Sequence, residues 1–460
     1  MKTLTKSILM LCCISFLFSS CKTKPVASDV KANYPEWAKN AVIYEVNVRQ
    51  YTPEGTFKAF EESLPRLKEL GVDILWFMPI HPIGIVDRKI PDGFKTSLGS
   101  YYSVKDYKGI NPEFGTEADF KALVTKAHEM GFKVLIDWVA NHSSRDNAWI
   151  TEHPDWYVQD STGKILAPFD WTDVAKLNYT NKDMRAAMVD AMKYWVSNCD
   201  IDGFRCDVAG EVPVDFWNDA RVELEKVKPM FMLAENEDHA DLCTKAFDAN
   251  YGWGMHSLMH QVAQGKDSVS KIARQVIKMD SILPKNAMQM NFITNHDENS
   301  WNGTAQEKFG AGENAFAVLT YTMPGMPLIY SGQEAGLNKR LKFFTKDTID
   351  WKVADFAPFY KTLNGLKHSN EALWNPPYGG TFEKIKNNES AKVLSFIRVK
   401  GNAKVLVIAN LSAMPVTFFL KGDIVTGTYK DIFTGKEITL AKKDNMSLDA
   451  WGYKVLEIKQ

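Results

Sequence analysis

The sequence predicts an α/β chain: a (β/α)8 barrel with a small inserted subdomain after its third strand, then a C-terminal antiparallel β-sandwich. Three observations predict it. Eight short apolar strands alternate with amphipathic helical stretches between about residues 41 and 370, and eight strands close a parallel barrel. More than forty residues rich in Trp, Asp, Pro and Gly separate the third strand from the next helix, far more than a plain connection needs. After about residue 370, short strands follow one another between turns with no helical period.

The eight expected strands are residues 41–48, 73–79, 133–139, 203–208, 230–235, 246–251, 288–295 and 327–332. Helices are expected over 57–70, 116–130, 182–198, 214–226 and 311–322, the second opened by a capping box of Thr116 and Asp119. The resulting organisation is a barrel over 36–370, with 139–180 inserted, and a sandwich over 371–460.

Residues 1–20 read as a lipoprotein export signal: Lys2 and Lys6, an apolar run from Ile8 to Phe18, then Ser19-Ser20 before Cys21. The apolar run is too short to span a bilayer comfortably. The expected product is exported and held at a bacterial cell envelope by lipid on Cys21, with residues 21–35 as a polar tether. Contact with membrane is expected only through that anchor. Cys199, Cys206 and Cys243 have no metal-ligand spacing and read as small buried hydrophobes.

Lys and Arg total 55 against 56 Asp and Glu, so no basic excess exists to hold a phosphate backbone, and nucleic acid is excluded as an expected partner. Thirteen Trp suit stacking on pyranose faces, although most rings in a large chain fill its core. Nothing in the sequence sets an oligomeric state.

Catalytic groups of a parallel barrel cluster at the C-terminal strand ends. The third strand brings Asp137, then Asn141 and His142; the fourth Arg205 and Asp207; the fifth Glu235; the seventh His296 and Asp297. Singly, each has an ordinary structural explanation, such as a loop cap, an ion pair on one strand face or a turn residue. Together they match what glycosidic cleavage requires. One carboxylate attacks the anomeric carbon and a second, kept protonated, gives a proton to the leaving oxygen. With about 5 Å between them no water fits, and the anomer is retained. Arg205 beside Asp207 is expected to keep a nucleophile ionised, which makes Asp207 the nucleophile and Glu235 the acid/base. Asp297, His296 and His142 would then hold sugar hydroxyls.

At this point the sequence resembles the α-amylase family of glycoside hydrolases, over about residues 36–458. The resemblance rests on DWVANH (137–142), GFRCD (203–207), LAE (233–235) and TNHD (294–297), in order and on the expected strands, with YYSVKDYKGINPEFGT (101–116), KLNYTN (176–181) and GMPLIYSGQE (325–334). It implies Asp207 as nucleophile, Glu235 as acid/base and Asp297 as transition-state stabiliser. It also implies Tyr102 stacked on the cleaved sugar, with Arg205, His142 and His296 in contact with it; plain packing is the alternative for Tyr102. The implied reaction is hydrolysis of α-1,4-glucosidic bonds in starch-derived glucans or maltooligosaccharides. No cofactor is required for that chemistry. A structural calcium bound through Asn141 is the optional metal site, with Asp146, Asp155, Asp160, Asp170 and Asp173 as further oxygen donors.

The sequence departs from the family after the nucleophile, where Gly210 and Glu211 stand in place of a common Lys-His pair and put the acceptor-side preference in doubt. A transglycosylase or isomerase would use the same residues, since only the acceptor differs. A non-catalytic glucan-binding barrel is the reading from another class; loss of a carboxylate would mark it, and all three are present. Trp171, Trp253 and Trp301 are expected either as sugar platforms or as core.

Overall fold

The computed structural model describes residues 32–422, 425–441 and 443–458; the expected signal, Cys21 and most of the tether lie outside the described residues. Eight parallel strands form a closed barrel: Ile43–Val46 (β1), Ile74–Phe77 (β2), Lys133–Trp138 (β3), Gly203–Cys206 (β4), Phe231–Ala234 (β5), Ala249–Tyr251 (β6), Met288–Asn291 (β7) and Met326–Tyr330 (β8). Each strand pairs with its sequence neighbours, and β1 closes the ring against β8 with Ile43 opposite Leu328. All eight expected strands are present, with trimmed ends.

Side chains alternate between the two faces of each strand. Ile43, Ile74, Trp76, Leu135, Phe231, Leu233, Met288, Met290 and Leu328 fill the barrel interior. Val42, Tyr44, Val46, Leu75, Phe77, Val134 and Phe204 point outward, where helices cover them. The same period puts Arg205 and Asp207 on the inner face of β4 and its continuation. At Gly203 the strands come so close that a Cβ would stand 1.9 Å from the carbonyl oxygen of Phe231 on β5. Only glycine fits there.

The helices follow the expected periodicity with one correction. The stretch 57–70 is two helices, Phe57–Glu61 and Leu64–Leu70, because Pro65 lacks an N–H and is tolerated only in a first turn. Thr116 caps Glu117–Glu129 with the expected box: its hydroxyl accepts from Asp119 N at 3.2 Å, and its own N–H donates to Asp119 at 2.8 Å. Helices Trp253–Ala263, Ser270–Ile282 and Ala357–Ser369 complete the outer layer. The second of these buries Ile272, Ala273, Val276 and Met279, a legible helical stripe absent from the expected set.

The segment after β3 is a subdomain built on an antiparallel hairpin, His142–Ser144 against Val174–Lys176, closed by Trp149 and Trp156 packed at 5.0 Å. A second long connection, residues 78–116 after β2, was not singled out from sequence. It joins the subdomain through the Ser144 N–H to the Val104 carbonyl at 2.9 Å, and the loop after β8 through the Leu98 N–H to the Phe344 carbonyl at 2.8 Å.

Beyond Ala357–Ser369 the chain forms two antiparallel sheets, one of six strands and one of three. Ile397, Leu406, Ile408 and Leu456 of the larger pack against Val416, Phe418 and Leu448 of the smaller. Arg398, fully buried, fastens this sandwich to the barrel by donating to the Thr322 carbonyl at 2.9 Å, at the end of helix Glu313–Thr322. Cys199, Cys206 and Cys243 are free and buried.

Because a carbonyl held in a parallel ladder cannot retreat from an added Cβ, Gly203→Ala is expected to destabilise the fold by about 1–3 kcal/mol, read from urea unfolding. An unchanged midpoint would contradict the close approach.

Candidate active site

At the C-terminal mouth of the barrel, Arg205 lies beneath a group of carboxylates. It is 0% exposed. Its Nη1 donates to Asp137 at 2.8 Å and to Asp207 at 3.0 Å. Nη2 stands 2.9 Å from Glu235 Oε2 without the alignment of a hydrogen bond. Its Nε donates to the Tyr251 hydroxyl at 3.1 Å, and the guanidinium sits 5.2 Å from the Trp76 ring centre. Residues from β3, β4, β5 and β6 thus meet on one cation. Burial opposes the Arg205 charge, but the adjacent Asp137 and Glu235 carboxylates override it.

One buried guanidinium cannot neutralise that many acids. Burial first, and then the charge of Glu235, push Asp207 well above the usual carboxylate range, against the pull of Arg205. Asp137 is raised to about 6, also chiefly by burial. The expectation that Arg205 simply keeps Asp207 ionised is therefore corrected. Arg205 is shared, and a proton held on a neighbouring acid, rather than its removal, is what favours ionisation of Asp207.

A second chain of bonds runs from β7 to β1. With both ring nitrogens of His296 protonated, Nδ1 donates to Glu45 at 2.5 Å and Nε2 to the Tyr102 hydroxyl at 2.6 Å. The Tyr102 hydroxyl in turn donates to Asp137 at 3.1 Å. His296 Nε2 also stands 3.4 Å from Asp297. Asp137 therefore braces both Arg205 and Tyr102. Glu45 was missed, although a lone acid in the apolar run AVIYEVNV is the same kind of signal that picked out the other strands.

Asp207, Glu235 and Asp297 line one open cleft with Tyr102, His142, Trp171, Trp301, Phe343 and Phe344. Arg205 and His296 lie one layer beneath this lining. Tyr102 stacks on Phe343, with planes 8° apart and centres 6.3 Å apart. His142 meets Trp171 edge to face at 5.4 Å, and burial lowers its pKa to about 3, so the ring is neutral. Trp171 and Trp301 are thus at the cleft, whereas Trp253 packs on Tyr251 and Phe292 in the core. Phe343 and Phe344, from the loop after β8, carried no signal in sequence.

Val208 follows Asp207 with φ 36° and ψ 48°, a left-handed conformation that costs a β-branched residue about 1–3 kcal/mol. The turn aims its N–H at Glu235 Oε2, 2.8 Å away. Strain next to Asp207 is coupled in this way to the placement of Glu235.

The expected calcium donors do not converge. The Asn141 amide faces the His142 ring at 3.2 Å. Asp146 accepts from Ser144 at 2.9 Å and faces Lys105, Asp155 accepts from Asn181 at 2.7 Å, and Asp160 closes its own turn with Thr162 at 2.8 Å. Asp170 is exposed. Among the described residues no three His, Cys, Asp or Glu side chains are grouped to hold a metal, and a hard cation needs about six to eight oxygens. These residues do not fit a calcium ion.

Burial disfavours a charge on His296, yet Asp297 and Glu45 prevail and lift its pKa to about 9. A raised folded-state value gives stability that is complete below the free-histidine value of about 6.5 and is lost as pH rises through the folded one. The Tm gap between the wild type and His296→Gln is expected to be widest below about pH 6.5 and to close through about pH 9. A gap that does not change with pH would refute the charged pair.

The family model for the α-amylase catalytic domain matches residues 28–174 and 152–355, and that for the maltogenic amylase C-terminal domain matches 382–455. The α-amylase MalA of Haloarcula japonica is 29% identical over 422 residues, covering 86% of this chain. The chain spans about 60% of the length of that curated relative. Among solved structures, the noncanonic maltogenic α-amylase AmyB of Thermotoga neapolitana superposes with a TM-score of 0.83 at 28% identity, covering 92% of this chain and 100% of that one. An α-amylase from Lactobacillus plantarum gives 0.81 at 29% identity, with the same coverage of both chains. The match of the catalytic-domain model across a closed barrel with these acids at its mouth shows that the chain belongs to the α-amylase family.

Proposed function

We propose that the protein hydrolyses α-1,4-glucosidic bonds in starch-derived glucans or maltooligosaccharides with retention of the anomer. The observation that carries this reading is the shared contact of Asp207 and Glu235 with the two terminal nitrogens of one buried Arg205, at the floor of a sugar-sized cleft that Asp297 also lines. An Asp207 oxygen attacks the anomeric carbon while Glu235 gives its proton to the departing glycosidic oxygen. A covalent glycosyl ester on Asp207 results. Glu235, now a carboxylate, takes a proton from water; the water oxygen attacks the same carbon and Asp207 leaves.

Protonation of Glu235 removes the second cause of Asp207's raised pKa, so the acid and the nucleophile are prepared by the same proton. Asp297 faces the positive charge that develops at the ring. Tyr102 and His142 contact the cleaved sugar from the lining; Arg205 and His296 orient those groups from beneath. The aromatic rim supports a pyranose chain through stacking. An N-terminal signal ending at Cys21 supports export and lipid anchoring at the cell envelope.

Asp207→Asn and Glu235→Gln are each expected to lower kcat on maltoheptaose by about 10³-fold or more with normal folding, while the wild type releases the α-anomer first by proton NMR. Near-wild-type rates in either variant, or a first product in the β form, would defeat the assignment. In cells, Cys21→Ser is expected to abolish labelling with radioactive fatty acid and shift the protein from the membrane to the soluble fraction; unchanged labelling would remove the anchor.

A further inference from the structure

The residue after Asp297 turns its side chain away from the cleft. Glu298 begins a single π-helical turn, Glu298–Asn302, in which the Gly303 N–H reaches five residues back to the Glu298 carbonyl at 2.9 Å. Such turns are rare and often mark functional sites. This one carries two groups of the cleft, Asp297 at its start and Trp301 near its end.

Glu298 is buried and points into the helical layer. There it forms an ion pair with Lys308, itself buried on helix Ala305–Phe309, and its Oε1 accepts from Asn302 Nδ2 at 2.9 Å. His256 stands 3.7 Å from Glu298, but its Nε2 donates to the Ile293 carbonyl at 3.1 Å and burial lowers its pKa to about 3, so the ring is neutral. Among the described residues Lys308 is thus the one cation paired with Glu298. The helix carrying Lys308 is fixed in turn to the loop after β8: Glu307 accepts from Arg340 Nε at 2.8 Å, and the Thr304 hydroxyl donates to Asn338 at 2.8 Å. Asn299 ties the π-helical turn to the same loop, donating to the Lys339 carbonyl at 3.0 Å and accepting from the Leu341 N–H at 2.9 Å. Replacing a buried ion pair by apolar residues of similar volume often leaves a fold as stable or more so. Stability alone therefore gives little reason for this pair.

We propose that Lys308 and Glu298 are positioning residues for the reaction: the pair draws the first residue of the turn away from the cleft and so holds the backbone that aims Asp297 at the reacting ring. Neither side chain lines the cleft. This inference rests on the hydrolytic reading above and adds the residues that keep its third acid in place.

The test measures kcat on α-maltosyl fluoride, whose leaving group departs with little help from Glu235, so that the rate depends on the charge developing on the ring. Each variant is assayed well below its own Tm. Lys308→Met, similar in length and uncharged, is expected to lower kcat at least about tenfold, because small displacements set up far from the reacting atoms carry losses of that order. The double variant Glu298→Gln/Lys308→Met, which buries no charge at this place, is expected to regain the Tm lost by Lys308→Met but not the kcat. That split separates positioning from stability. Asn302→Ala, at an exposed site on the turn, is expected to lower kcat in the same direction and serves if Lys308→Met does not fold. A kcat within about twofold of the wild type in Lys308→Met, or in Asn302→Ala where that variant stands in for it, would overturn the proposal. So would a double variant that regains both Tm and kcat. A wild type inert on α-maltosyl fluoride would instead remove the hydrolytic reading, and this inference with it.

Discussion

A single buried guanidinium holds the mouth of this barrel together. Arg205 sits within 3.0 Å of carboxylates from β3, β4 and β5, with no exposure to water. Removing it would leave several acids enclosed with no counter-charge, a penalty of several kcal/mol. The cation is also outnumbered. Because it cannot satisfy every neighbour, the acids compete, and the site keeps a proton that a fully neutralised set would not need.

The second network, Glu45–His296–Tyr102–Asp137, ties β7 to β1, the loop after β2 and β3. It compensates part of the acid excess with a histidine whose charge is sustained by Asp297 and Glu45 against burial. It also fixes the plane of Tyr102, which Phe343 supports from the loop after β8. Barrel strands therefore set the positions of charged atoms, and loops from distant parts of the chain set the apolar surfaces around them. Val208 joins the two, since its strained backbone carries the N–H that meets Glu235.

Much of this was readable before any coordinates. The alternation of apolar strands and amphipathic helices identified all eight barrel strands, because a strand buried on both faces must be short and apolar. Polar residues that end such runs stand out, which is how Asp207, Glu235 and Asp297 were found. The same rule applied to the first strand would have found Glu45. Pro65 marked a helix break that the apolar period alone passes over. The long connection after β3 was visible as an inserted subdomain, whereas the similarly long one after β2 was not, because its turns carry no period.

Sequence alone determined the barrel, the sandwich and the identity of the three acids, because each depends on local pattern and on rules of strand position. Only the tertiary structure decided who shares Arg205, that Asp137 braces Tyr102, that Phe343 and Lys89 reach the cleft, and that the expected calcium donors stay apart. Those outcomes depend on distances between residues far apart in the chain. Local propensity contains no information about such distances, and both Coulomb energy and desolvation vary steeply with them.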